Sequence, residues 1–266
     1  MINNVKSVVA VASGKGGVGK STVAVNLALG LCHGGYDVGL LDADVYGPSI
    51  AKMLGVNEGK RPESVDGKKL SPIKSFGLST MSMSYLVTET TPMAWRGPMA
   101  SGALKQMLHF TDWGTLDVLL VDMPPGTGDI QLTLSQQIAL AGVIIVTTPQ
   151  DIALLDAKRG IEMFRKMHVP ILGVVENMAM HECKFCGQSQ EIFGTGGGTA
   201  IASEYNTVLL GQLALDRDIR EYGDRGIPVI AADATSKAAL ACKSMADSVG
   251  RILSSRQENE PELVID

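Results

Sequence analysis

The chain has 266 residues, 45% of them hydrophobic, which is enough to bury a large core. Its formal net charge of −5 leaves no basic footprint for nucleic acid, no apolar run reaches membrane-spanning length, and Met1 to Lys6 lack a signal-peptide pattern. Four cysteines over this length exclude a disulfide scaffold, so a reducing, cytoplasmic setting is expected, with neither membrane nor nucleic acid as partner.

The first predicted strand, Val8 to Ala12, runs into Ser13-Gly14-Lys15-Gly16-Gly17-Val18-Gly19-Lys20-Ser21-Thr22, which satisfies G-x-x-x-x-G-K-[ST]. Its glycines let backbone N–H groups turn inward on a polyphosphate, and the helix predicted from Lys20 to Cys32 adds its positive end. Lys20 is expected on the β/γ-phosphates of ATP and the Ser21 hydroxyl on Mg²⁺. Gly14, Gly16 and Gly19 also spell a dinucleotide-binding G-x-G-x-x-G, with Asp42 and Asp44 about 20 residues on. Lys20-Ser21-Thr22 decides against it, because a triphosphate with Mg²⁺ calls for an ammonium and a hydroxyl there and a pyrophosphate does not.

The second strand, Val38 to Asp42, delivers Asp42 and Asp44, which point to one side while the strand stays extended. Asp44 is assigned to orienting the attacking water and Asp42 to outer contact with Mg²⁺, while helix capping ahead of Pro48 explains one of them but not both. Gly55 to Lys74 is polar, with Pro62 and Pro72, and reads as a surface excursion. After a helix from Pro98 to Phe110, the apolar strand Val118 to Asp122 ends in an acid suited to hold Mg²⁺ through water, or to cap a turn. The following Met123-Pro124-Pro125-Gly126-Thr127-Gly128-Asp129 favours the first, since a rigid Pro-Pro pair and two glycines make a switching loop that can bring the Gly126 N–H to a γ-phosphate.

Further strands fit Val143 to Thr147, Ile171 to Glu176 and Val208 to Gly211, and helices fit Ile130 to Leu140, Ala153 to Met167, Thr199 to Tyr205, Ile219 to Gly223 and Ser236 to Leu253. The alternation predicts an α/β fold, a mostly parallel twisted sheet with helices on both faces, as one domain over residues 1–253; residues 254–266 are expected as an acidic, disordered tail. Cys183 and Cys186 form C-x₂-C ahead of the glycine-rich turn at Gly194 to Gly198. Two thiolates are half of what a structural zinc or an iron-sulfur cluster usually takes; zinc, a redox pair and two structural cysteines all fit the spacing, with zinc first. Cys32 and Cys242 read as core, and of the four histidines only His181 lies near the pair.

Together these motifs resemble a family. Lys15 ahead of Gly16-Gly17-Val18-Gly19-Lys20-Ser21 looks like the signature lysine of the deviant Walker A ATPases, which in that group crosses a dimer interface to the partner's phosphates. Asp42-Ala43-Asp44-Val45-Tyr46-Gly47-Pro48-Ser49, the Asp122 loop, Glu176-Asn177-Met178 and Cys183-Lys184-Phe185-Cys186-Gly187 narrow the match, from about Val8 to Leu253, to the Mrp (ApbC) iron-sulfur cluster carrier ATPases. The resemblance implies that Asn177 reads adenine, that Pro149-Gln150-Asp151 lies near the nucleotide, and that Lys15 makes ATP binding and subunit closure one event. It also moves a [4Fe-4S] cluster ahead of zinc on Cys183 and Cys186, because a homodimer's twofold axis brings four sulfurs together, with apo iron-sulfur proteins as acceptors. This sequence shows neither a small domain ahead of the P-loop nor an N-terminal cysteine cluster, as some members have. Two other classes compete: a membrane- or DNA-positioning ATPase of the MinD/ParA type, which needs an amphipathic or basic surface, and a zinc-clamped targeting ATPase, which needs a methionine-rich insertion; neither feature stands out.

Overall fold

The computed structural model describes residues 2, 4–65, 67–86 and 97–257. In chain order the elements are β1 (Val5–Ala12), α1 (Lys20–His33), β2 (Val38–Asp42), α2 (Ile50–Met53), β3 (Ser64–Val65), β4 (Lys69–Leu70), β5 (Ile73–Ser75), β6 (Leu78–Ser82), α3 (Gly97–Phe110), β7 (Leu116–Asp122), α4 (Asp129–Gln137), β8 (Gly142–Thr147), α5 (Asp151–Lys166), β9 (Ile171–Glu176), β10 (His181–Glu182), β11 (Ser189–Gln190), α6 (Gly197–Glu204), β12 (Leu209–Gln212), α7 (Arg217–Asp224), α8 (Val229–Ala232) and α9 (Lys237–Gln257). Eight strands form one sheet in the order β12-β9-β8-β1-β7-β2-β6-β5, parallel throughout except for β5, which pairs antiparallel with β6.

The strands are apolar on both sides because both faces are covered. In β1, Val9 and Val11 join the core under α1, α8 and α9, while Val8, Ala10 and Ala12 join the core under α3, α5 and α6. This arrangement puts the carboxyl ends of β1, β7 and β2 side by side, the crevice where an open α/β sheet takes its ligand. Register makes Asp42 and Asp122 direct neighbours.

Two expectations change, and one strand of the main sheet is unexpected. The segment Gly55 to Lys74 is not only loop: it holds the β3–β4 hairpin and the start of β5, which leads into β6 inside the main sheet. β6 escapes a hydrophobic reading because Ser79, Thr80 and Ser82 are buried there, and each finds a partner; Thr80 Oγ1, for example, donates 2.8 Å to the Ile73 carbonyl. The last helix continues through residues 254–257, past its expected end at Leu253, and the remainder of the acidic tail lies outside the described residues.

Candidate functional site

The loop between β1 and α1 wraps one side of a cleft of about 350 Å³, lined by Lys15, Gly16, Gly17, Lys20, Ser21 and Asp44 among others. Gly17 and Gly19 adopt φ of 83° and 81°, a backbone that side chains resist. A Cβ on Gly17 would meet nothing within 4 Å, so that stretch of backbone is open to a ligand; a Cβ on Gly19 would fall 2.2 Å from the Asn177 amide. Asn177 Nδ2 donates 2.9 Å to the Val18 carbonyl, stapling the end of β9 to the loop. Gly14 packs against the Asp156 carbonyl of α5, and Thr22 Oγ1 lies 3.9 Å from Met53 Sδ on α2.

At the loop's base the Lys20 ammonium sits 2.5 Å from Asp122 and 3.2 Å from Ser21 Oγ, the lysine and Asp122 both buried. Burial pushes the Asp122 carboxyl above its ordinary range, against the Lys20 charge that pulls it down. Its second oxygen, Oδ2, is sealed from solvent without any hydrogen-bond partner. A buried carboxylate oxygen left unmatched near the Ser21 hydroxyl offers the oxygen ligands that Mg²⁺ takes, so the residues fit the cation that the P-loop motif implies.

Asp42 has its donors already. Oδ2 accepts from the N–H groups of Ser49 and Ile50 at 3.1 and 3.2 Å and from the Ser82 hydroxyl at 3.1 Å, while Oδ1 accepts from Asp44 N–H at 3.1 Å. It therefore caps α2, the capping that the sequence allowed for one of the two acids. Burial, then the charge of Asp122, pushes its carboxyl up to about 7. Asp44 instead faces the cleft, half-buried, accepting from Gly47 N–H at 3.3 Å. Ser82 and the α2 residues Lys52 and Met53 carried no motif, although Pro48 behind the acids does signal a helix start.

Two expected contacts stand differently in this arrangement. The Gly126 N–H, expected toward a γ-phosphate, donates 3.0 Å to the Ser13 carbonyl. Lys15 Nζ reaches Gln150 Oε1 of its own subunit at 3.5 Å. Lys15 lines the cleft and Gly126 follows the lining residue Pro125, and each has a partner it must release to serve a phosphate.

Cys183 and Cys186 occupy the turn between β10 and β11. The turn closes with Gly187 N–H on the Cys183 carbonyl at 2.8 Å and Cys183 N–H on the Gln188 carbonyl at 2.9 Å, and Gly187 supplies the φ of 72° that completes it. The backbone N–H of Cys186, then that of Phe185, points at the Cys183 sulfur and holds its thiol below the ordinary range. Cys186 and Phe185 are exposed and Cys183 is half-buried, so one thiol stands at the surface beside another biased toward thiolate. Among the described residues no group of three or more His, Cys, Asp or Glu is placed to hold a metal. His181 is drawn away: its Nδ1–H donates 3.0 Å to the Leu215 carbonyl. The glycine-rich turn before α6 is already met by Glu176, whose Oε2 accepts from Gly198 N–H at 2.5 Å. Cys32 and Cys242 pack in the core, where burial pushes the Cys242 thiol up to about 12.

Sheet order, P-loop and acidic strand ends together define a P-loop nucleotide-binding ATPase of the MinD/ParA type. Solved structures agree: the nucleotide-binding protein in complex with ADP from Archaeoglobus fulgidus superposes with a TM-score of 0.75 at 36% identity over 85% of this chain and 88% of that one, and the cell division ATPase MinD of Pyrococcus furiosus with 0.72 at 21% over 93% and 99%. The chain belongs to the ParA family described as NUBPL iron-transfer P-loop NTPases, whose model matches residues 4–250. It is 56% identical to the iron-sulfur cluster carrier protein of Pseudomonas fragi across 93% of this chain and 86% of that protein. The carrier of Escherichia coli K12 is likewise 56% identical, over 93% and 67%. The mouse iron-sulfur cluster transfer protein NUBPL is 48% identical over 97% and 81%. No helix among the described residues is long and apolar enough to cross a membrane.

Proposed function

We propose that the protein is a cytoplasmic MgATP-hydrolysing homodimer whose single domain, residues 1–253, carries a [4Fe-4S] cluster between the Cys183 and Cys186 pairs of two subunits and passes it to apo iron-sulfur proteins. The observation that carries this reading is one chain holding both a P-loop cleft and a formed turn with two thiols, one exposed and one half-buried, half a cluster's ligand set. A twofold axis through that turn supplies the other half.

In the cleft, the backbone of residues 14–22 binds the triphosphate and Lys20 leaves Asp122 to neutralise charge on the β/γ-phosphates. Ser21 and, through water, Asp122 would hold Mg²⁺, which supplies charge neutralisation; Asp42 acts in the outer sphere by setting Asp44 and α2. Asp44 orients the attacking water, Gly126 N–H turns from Ser13 to the γ-phosphate, Asn177 contacts adenine beside the loop it staples, and Lys15 crosses to the partner's phosphates. Anaerobic purification tests the cargo: brown protein with visible charge-transfer absorption and matching iron and sulfide is expected, together with MgATP turnover. Colourless protein holding stoichiometric zinc would refute the cluster.

A further inference from the structure

The nucleotide cleft is built mostly by residues 13–53 and the cysteine turn lies between β10 and β11, yet one helix touches both. The far end of α7 reaches the cleft, where Gly223 and Asp224 line it beside Ser49, Lys52 and Met53 of α2. There two glycines with positive φ, Gly55 after α2 and Gly226 after α7, lie backbone on backbone. A Cβ on Gly226 would fall 2.5 Å from the Gly55 Cα, and one on Gly55 would fall 2.8 Å from the Gly226 carbonyl oxygen. Contact this close leaves no slack, so α2 cannot shift along its neighbour without moving α7. α2 in turn hangs from Asp42 by two hydrogen bonds.

The near end of α7 holds the cysteine turn. Its capping residue Asp216 accepts from Asp218 N–H at 2.8 Å, and the segment between β12 and α7 bonds to the base of the turn through Leu215 N–H on the Met180 carbonyl at 2.7 Å. Lys184, between the two cysteines, places its ammonium 2.6 Å from Asp218 and 3.9 Å from Asp216. Eight residues make a rod of about 12 Å between the cleft and the Lys184 contact.

We infer that α7 is a strut transmitting closure of the nucleotide cleft to the cysteine turn, with Lys184 and Asp218 as the positioning residues that grip it. The inference rests on the cleft binding ATP as proposed above. It does not require the cargo to be a cluster.

The test uses the full chain with no metal loaded, and reads the rates at which Cys183 and Cys186 react with iodoacetamide, resolved by peptide mapping, with and without MgATP. In the unaltered protein the nucleotide should change at least one rate by about threefold, the scale an exposed ion pair can transmit. Asp218→Asn and Lys184→Ala should bring that ratio to about one with ATP turnover unchanged, while Lys184→Arg should restore it, which a merely structural role would not require. A ratio that survives in Asp218→Asn and Lys184→Ala overturns the strut. So does a turning-over wild-type enzyme whose thiols ignore nucleotide, and that result leaves cluster carriage standing. A wild-type protein that fails to bind MgATP overturns both.

Discussion

A carboxylate sealed beneath a phosphate loop either keeps a proton or finds a cation, and Lys20 supplies the cation for one oxygen of Asp122. Lys20→Ala therefore removes the main phosphate contact and strands that buried acid at once. Its ATP turnover should fall by about 10²-fold or more in a phosphate-release assay, and near-normal turnover would contradict the P-loop assignment. Asp44→Asn keeps shape and loses charge, so ATP should still bind while hydrolysis falls by about 10²- to 10⁴-fold. Asp42 gives a pH signature. Its ordinary value of 3.8 applies in the unfolded chain, and the folded chain holds the proton up to about 7, so the folded state binds more protons between those values. This acid therefore makes stability fall as pH rises from about 4 to about 7, and urea midpoints should show that slope flattened in Asp42→Asn. A variant with an unchanged slope would argue against the buried acidic pair. From sequence, Lys20, the Asp42 and Asp44 pair and a cap for one of the two acids were legible, but only the return of the chain to form α2 shows that Asp42 is the cap and leaves Asp44 in the cleft.

Among the elements, those whose identity is written in local chemistry were readable, and those made by tertiary contact were not. β2 and β9 match their expected bounds because unbroken apolar runs end at an acid. β6 was invisible because its buried Ser79, Thr80 and Ser82 break the apolar pattern, their polarity being satisfied by Lys74, Ile73, Tyr85 and the distant Asp42. α7 reads from sequence as a helix only over Ile219 to Gly223 of its Arg217–Asp224 span, because it has no buried residue and only Ile219 and Tyr222 lean on the core. Gly30 shows tertiary context overruling propensity. In mid-helix, Ala outranks Gly by about 1 kcal/mol, yet a Cβ here would stand 2.5 Å from the Ala246 Cβ of α9. Gly30→Ala should thus destabilise the protein by about 1 to 3 kcal/mol in urea unfolding, and a gain in stability would show that α1 and α9 can part without loss.

At the scale of the whole molecule, the P-loop and the cysteine pair were both legible as motifs, whereas the second copy that we propose for both came only from the resemblance, since neither geometry nor spacing within one chain states it. Lys15 offers a test in trans. Mixing Lys15→Ala subunits with Asp44→Asn subunits should recover part of the turnover, because a mixed dimer has one site with its own Asp44 and the partner's Lys15. No recovery in verified mixed dimers would place Lys15 in cis, on the side of Gln150.

The most direct test of the account is anaerobic reconstitution with ferrous iron and sulfide, followed by sizing chromatography with iron and sulfide analysis of each peak, for the unaltered protein, Cys183→Ser and Cys186→Ser. One [4Fe-4S] cluster should elute with the dimer of the unaltered protein, and each variant should keep its fold and MgATP binding while losing both the cluster and the cluster-dependent dimer. A full cluster on a monomer, or on either serine variant, would contradict a site shared between two subunits.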